Sequence, residues 1–206
     1  MRWSLHFILA STLPVPRVIW IIRDKKTERF SLHYLGDDSI MFSRLLFNVF
    51  LVRHLHYVGS RACYRTALEI CKVLLNLDPS ADPLAMVLTL DFYALRSRCY
   101  QWLVDFYKCS NPTRNLSQLP NFAYSVALAT FHLYQESSNN QELLQEADNL
   151  LQSALLSFPS VLLSLLDKCS IEPDPSVMGC QYFLDTRSDP AALAALSSLY
   201  VSRYSS

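Results

Sequence analysis

The sequence predicts an all-α fold: antiparallel helical hairpins stacked into a tetratricopeptide-like α-solenoid. Three observations lead there. Apolar residues recur at helical spacing from about residue 43 onward, with breakers between the runs. The chain holds only 3 glycines in 206 residues, too few for the turns of an all-β fold or for a glycine-rich phosphate loop. And one segment echoes another. Ala67, Cys71, Leu74, Leu75 and Pro79 match Ala147, Leu151, Ala154, Leu155 and Pro159 without a gap. Alanines let a second helix approach, larger residues fill the groove and proline ends the turn, as in the second helix of a tetratricopeptide hairpin.

Residues 1–42 read as an atypical N-terminal extension. Met1 to Thr12 has one cation and a brief apolar run, but His6 interrupts it and Pro14 ends it. That is short for a signal peptide and far short of the roughly 18 residues of a membrane span. The run at 18–22 is equally short, and leaves a strand or a short helix near 17–22 open.

The helical domain is predicted over 43–206. A first helix covers 43–57, with Gly59 as its stop. The second, 62–77, buries Tyr64, Ala67, Leu68, Cys71, Leu74 and Leu75 and leaves Arg65, Glu69, Lys72 and Asn76 wet; Asp78-Pro79 ends it. Asp82-Pro83 supplies an N-cap acid and a proline at the first helical position. The helix it opens, 84–95, is apolar nearly all round and belongs in the middle of the stack. A short helix follows over 99–109, with Trp102, Leu103, Phe106 and Tyr107 inward. Ser110 to Pro120 reads as a connector. Helices are then expected at 121–136, 140–157, 160–168 and 190–203, with a loop over 171–179.

Formal charge is zero but uneven: residues 43–110 hold eight Arg/Lys against five acids, and 111–206 four against nine. That mild dipole does not by itself imply nucleic acid. The six cysteines form no Cys-x-x-Cys pair and read as reduced thiols, three of them at apolar helix positions. Asn115-Leu-Ser117 is a glycosylation sequon, relevant only to a secreted chain.

No zinc-protease, nucleophile-elbow, Walker or EF-hand pattern is present, so no catalytic residue, metal ligand or cofactor contact is assigned, and the chain is not expected to be an enzyme. The candidate partner-binding surface is a basic face made by Arg53, His54, His56, Arg61, Arg65 and Lys72. It suits RNA phosphate or an acidic partner; the plainer alternative is a solvated helix face with Arg65 paired to Glu69. Tyr57 and Tyr64 are expected to face the core, which leaves this face without stacking aromatics. Asp91 lies inside an apolar helix and must find a cation or a helix-end bond, with Arg96, Arg98 or the preceding hairpin as sources.

The strings Arg53-His-Leu-His-Tyr-Val-Gly59, Cys63-Tyr-Arg-Thr-Ala-Leu-Glu69, Leu77-Asp-Pro79 with Asp82-Pro-Leu84, and Asp91-Phe-Tyr-Ala-Leu-Arg96 resemble the transcription factor 25 family. So do Asn115-Leu-Ser-Gln-Leu-Pro-Asn-Phe-Ala123, Phe158-Pro-Ser-Val-Leu-Leu163 and Leu166-Asp-Lys-Cys169. The family includes the first subunit of the ribosome quality control complex. The resemblance implies a non-enzymatic helical protein that acts on stalled large ribosomal subunits. Its partners would be a ubiquitin ligase and the segregase ATPase that extracts tagged nascent chains, with RNA as a further contact and no membrane or small-molecule substrate. It implies a cytosolic location, with the nucleus as a second one. The alternative it carries is a nuclear transcriptional repressor working through protein or nucleic-acid contacts. Two departures stand out. Residues 1–42 lack the charged N-terminal region of the family, and Ala62 replaces an expected glycine. The chain resembles the family's central module alone, shortened after Arg203.

Overall fold

The structure, a computed structural model of the chain, describes residues 20–23, 30–33, 39–77, 82–137, 140–184 and 190–203. The readings made for residues 1–19 lie outside these. Two compact units divide the chain, residues 1–87 and 88–206.

The first unit opens with two short strands, β1 (Trp20–Arg23) and β2 (Phe30–His33), paired antiparallel with Trp20 opposite His33 and Arg23 opposite Phe30. The all-α expectation therefore holds from Ser39 onward, with a β-hairpin before it. Each strand spans only four residues, too short for a period-2 pattern to declare itself. Helix α1 (Ser39–Ser60) runs past Gly59, and α2 (Tyr64–Leu77) packs against it. Ala67, Leu68, Cys71, Leu74 and Leu75 of α2 are buried, as the spacing requires, with Phe47 and Leu55 of α1. The turn between the helices puts Ala62 at φ 59°, in the left-handed region that an L-residue enters at a cost of about 1–2 kcal/mol. The expected glycine would fit there without that cost.

Asp82 caps as expected, but at a distance. Its two carboxylate oxygens accept the N–H groups of Met86 (2.9 Å) and Val87 (3.1 Å). Helix α3 consequently starts at Val87 rather than Leu84 and ends at Arg96.

The second unit is built around α5 (Pro120–Glu136), not α3. Between Pro120 and Thr130 only Leu128 of α5 is exposed. Its small residues Ser125, Ala127 and Ala129 admit α4 (Tyr100–Arg114), α6 (Gln141–Ser157) and α10 (Ala191–Ser202) against it. Small side chains open that room more effectively than the bulkier apolar run of α3, so α5 takes the central place. The predicted connector after Ser110 is helical as far as Arg114. Pro112 falls in the last turn, and the helix stops where Asn115 turns left-handed (φ 51°), its N–H bonded to the Asn111 carbonyl. A short 3₁₀ turn over Leu116–Gln118 leads into α5.

Helix α6 is N-capped by Asn140 and stops at Phe158; Pro159 then starts α7 (Pro159–Lys168), which bends away by 104°. Tyr124, Ala154, Phe158, Val161, Tyr200 and Val201 form one apolar cluster joining α5, α6, α7 and α10. Two helical turns, α8 (Pro175–Met178) and α9 (Gln181–Leu184), occupy and follow the expected loop. The sequence echo is reproduced in part: Ala147 and Ala154 are buried like Ala67 and Leu74, but Leu151, the counterpart of Cys71, is 42% exposed. No single described helix is long and apolar enough to cross a membrane.

Candidate functional site

Two polar assemblies are built on this frame, one in each unit. In the first, α1 and α2 carry the basic residues. Arg53, His54, His56, Arg61 and Arg65 are exposed, and Lys72 is half-buried. Lys72 is drawn to Glu69 across one turn at 2.7 Å, the partner that the solvated-face alternative gave to Arg65. His54 and His56 lie on different sides of α1, because two residues make just over half a turn.

What the helix does bring together is a row. Phe50 and His54 lie 6.3 Å apart with rings 3° from parallel. His54 and Tyr57 follow at 6.4 Å and 25°. The Arg61 guanidinium then covers the Tyr57 ring at 4.5 Å. Contrary to the core-facing expectation, Tyr57 is 53% exposed, while Tyr64 is half-buried. The signal was available: Phe47, Leu51, Leu55 and Val58 make a complete inward stripe of α1 without Tyr57.

In the second unit, Asp91 is fully buried on α3. Its carboxylate accepts hydrogen bonds from Asn121 Nδ2 (2.9 Å) and Ser125 Oγ (2.8 Å) of α5, and pairs with Arg203 Nη1 at 3.2 Å, just past α10. The expected ion pair is present, but the cation is Arg203 and not Arg96 or Arg98. Burial pushes the Asp91 carboxyl above its ordinary range; Arg203 and the two donors pull the other way. Asn121, Ser125 and Arg203 were not foreseen. Nothing local marks a partner 112 residues away.

Neither assembly has the geometry of a reaction centre. Asp91 has its carboxylate enclosed by three partners, away from solvent. Among the described residues no group of three or more His, Cys, Asp or Glu side chains could hold a metal. A shallow depression lined by Glu142, Gln145, Glu146, Asn149 and Leu150 follows one face of α6, with Lys108 holding Glu146 at 3.0 Å. All six cysteines are free, and Cys71 alone is buried. The core-thiol expectation therefore holds for that residue only, since the other five lie at the ends or outer faces of their segments.

A family profile described as "Transcriptional repressor TCF25" matches residues 39–206. The human protein named "Ribosome quality control complex subunit TCF25" is 44% identical over 163 residues, which cover 76% of this chain and 24% of that protein. Its namesake in Dictyostelium discoideum is 45% identical over 136 residues, or 57% of this chain and 18% of that one. The "Ribosome quality control complex subunit 1" of Schizosaccharomyces pombe is 34% identical over 164 residues, 71% and 23% of the two chains. The aligned region thus spans about a quarter of these relatives' length or less. No solved structure shows a significant likeness. With the profile matched from the start of α1 through α10, the chain belongs to the TCF25 family.

Proposed function

We propose that this chain is a non-catalytic helical adaptor of ribosome quality control. Its stacked hairpins, arranged in the manner of tetratricopeptide repeats, hold partners on stalled large ribosomal subunits. There it supports ubiquitination and extraction of the nascent chain beside a ubiquitin ligase and a segregase ATPase. It works in the cytosol by binding, and makes or breaks no bond itself. The observation that carries this is the relatives' shared naming as quality-control subunits, over the same helical segment that forms the fold described above. The exposed basic residues of α1 and α2 supply a contact surface suited to a ribonucleoprotein.

The family description as a transcriptional repressor favours a second reading, a nuclear regulator acting through protein or nucleic-acid contacts. Purification of the tagged chain from cells expressing a stalling reporter separates the two. The adaptor reading expects large-subunit ribosomal proteins, without small-subunit proteins, together with ubiquitin machinery and ubiquitylated reporter. Chromatin regulators in their place would overturn it.

A further inference from the structure

We infer that the outer row of α1 is a binding site for single-stranded RNA, with Phe50, His54 and Tyr57 as stacking platforms and Arg61, Arg53 and Arg65 as phosphate contacts. Four observations converge on this. The spacing 50, 54, 57 keeps the three rings on one side of α1 for about two turns, and Arg61, in the turn just past the helix, covers the last of them. Phe50 and Tyr57 are 38% and 53% exposed, unusual for large aromatic residues that have a core available on the same helix. The three rings are near-parallel, at 3° and 25°, so a strand of stacked bases meets them in one orientation. Finally, the sequence holds no carboxylate between Asp38 and Glu69, while Arg53, Arg61 and Arg65 all lie in that interval and are exposed.

The combination selects the ligand. Exposed rings accompanied by arginines, on a stretch of chain without carboxylates, suit a backbone of negative charge carrying flat, apolar faces, and single-stranded RNA has both. In a duplex the base faces are already stacked, so its phosphates alone would be read. An acidic peptide would satisfy the arginines but give the parallel rings nothing flat to stack on. Arg61 already caps Tyr57, which orients the guanidinium along the row and leaves its edge N–H groups for a phosphate. The rings and charges support this whether or not the chain serves on ribosomes.

Fluorescence anisotropy on the full chain tests it, with a labelled single-stranded 12-nucleotide uridine RNA, a 12-base-pair RNA duplex and a labelled poly-glutamate peptide. Saturable binding of the single strand is expected, tighter than that of the duplex or the peptide. Tyr57→Leu keeps apolar bulk but removes the ring, and should weaken single-strand binding about five- to a hundredfold with an unchanged melting temperature. Arg61→Gln should lower the slope of log affinity against log salt by about 0.7. Should Tyr57→Leu melt early, His54→Leu supplies the same test from the middle of the row. Failure to bind the single strand, equal or tighter binding of the duplex or the peptide, or single-strand affinity indifferent to the folded ring variant each overturns the proposal.

Discussion

Replacing Asp91 with leucine should be among the most damaging single changes in the second unit. The carboxylate is fully buried and receives Asn121, Ser125 and Arg203 at 2.9, 2.8 and 3.2 Å. Removing it leaves a guanidinium that is only 12% exposed without its anion, and takes a buried acceptor from both Asn121 and Ser125. Breaking one side of a buried pair costs about 3–5 kcal/mol. At about 2–4 °C per kcal/mol for a chain of this size, the melting temperature should fall by about 6–20 °C. The double variant Asp91→Leu/Arg203→Met removes both charges and should recover part of the loss, which a double-mutant cycle measures as coupling.

Arg203→Met alone adds a pH signature. Asp91 binds its proton more tightly folded than unfolded, since burial raises its pKa. Such a group contributes stability that is present at low pH and is lost as pH rises from the unfolded value to the folded one. Without Arg203 the folded value climbs further, so the penalty of the variant should grow as pH rises above the range of an unfolded carboxyl. Urea titrations across a pH series measure it. A stable Asp91→Leu, strictly additive variants, or a penalty for Arg203→Met that shrinks with pH would refute the reasoning.

Three further outcomes follow from the same structure. Ala62→Gly relieves a left-handed φ of 59° on an exposed turn and should stabilise the first unit by about 1 kcal/mol, read as a raised urea midpoint. Tyr124→Phe removes a phenol that donates to the Phe158 carbonyl at 2.8 Å and should cost about 1 kcal/mol. Because burial raises that phenol's pKa, the parent chain should also lose stability as pH climbs past about 10, a loss the phenylalanine variant lacks. Charge reversal at Arg53, Arg61 and Arg65 should weaken co-sedimentation with large ribosomal subunits while thermal melting stays unchanged, since all three are exposed.

How much of this was legible in the sequence depended on the range of the interaction. Helix α2 was read almost to the residue because five inward positions repeat at one spacing and the stop lies next to them. Helix starts were less clear. Asp82 binds N–H groups four and five residues on, and a cap with that reach shifts the helix while keeping its signal. The connector reading of Ser110 to Pro120 holds only from Asn115, because Pro112, in the last turn of α4, takes away little of the helical bonding that remains there. Aromatic residues misled most. Tyrosine suits core and surface alike, so the residue type of Tyr57 does not declare its side, although the apolar stripe beside it is complete without it.

Long-range choices leave no local trace, and Asp91 shows why. Its sequence surroundings demand a cation, and Arg96 and Arg98 are near in sequence, yet Arg203 answers. A helix directs Asp91 toward α5, where Asn121 and Ser125 already wait; Arg96, five positions on, lies well round the helix from it, and Arg98 falls past the helix end, both of them exposed. A cation must therefore arrive from another element, and the C-terminal end of α10, which packs against α5, delivers one. The pair ties together helices distant in sequence at the cost of a buried charge, and its demanding geometry favours one docking of α10 over neighbouring registers. A module that holds partners in register benefits from a fixed arrangement of its own helices. If the Asp91→Leu/Arg203→Met chain folds as stably as its parent but releases its partners, the pair is there for specificity of shape; if it both folds and binds as before, that role is excluded.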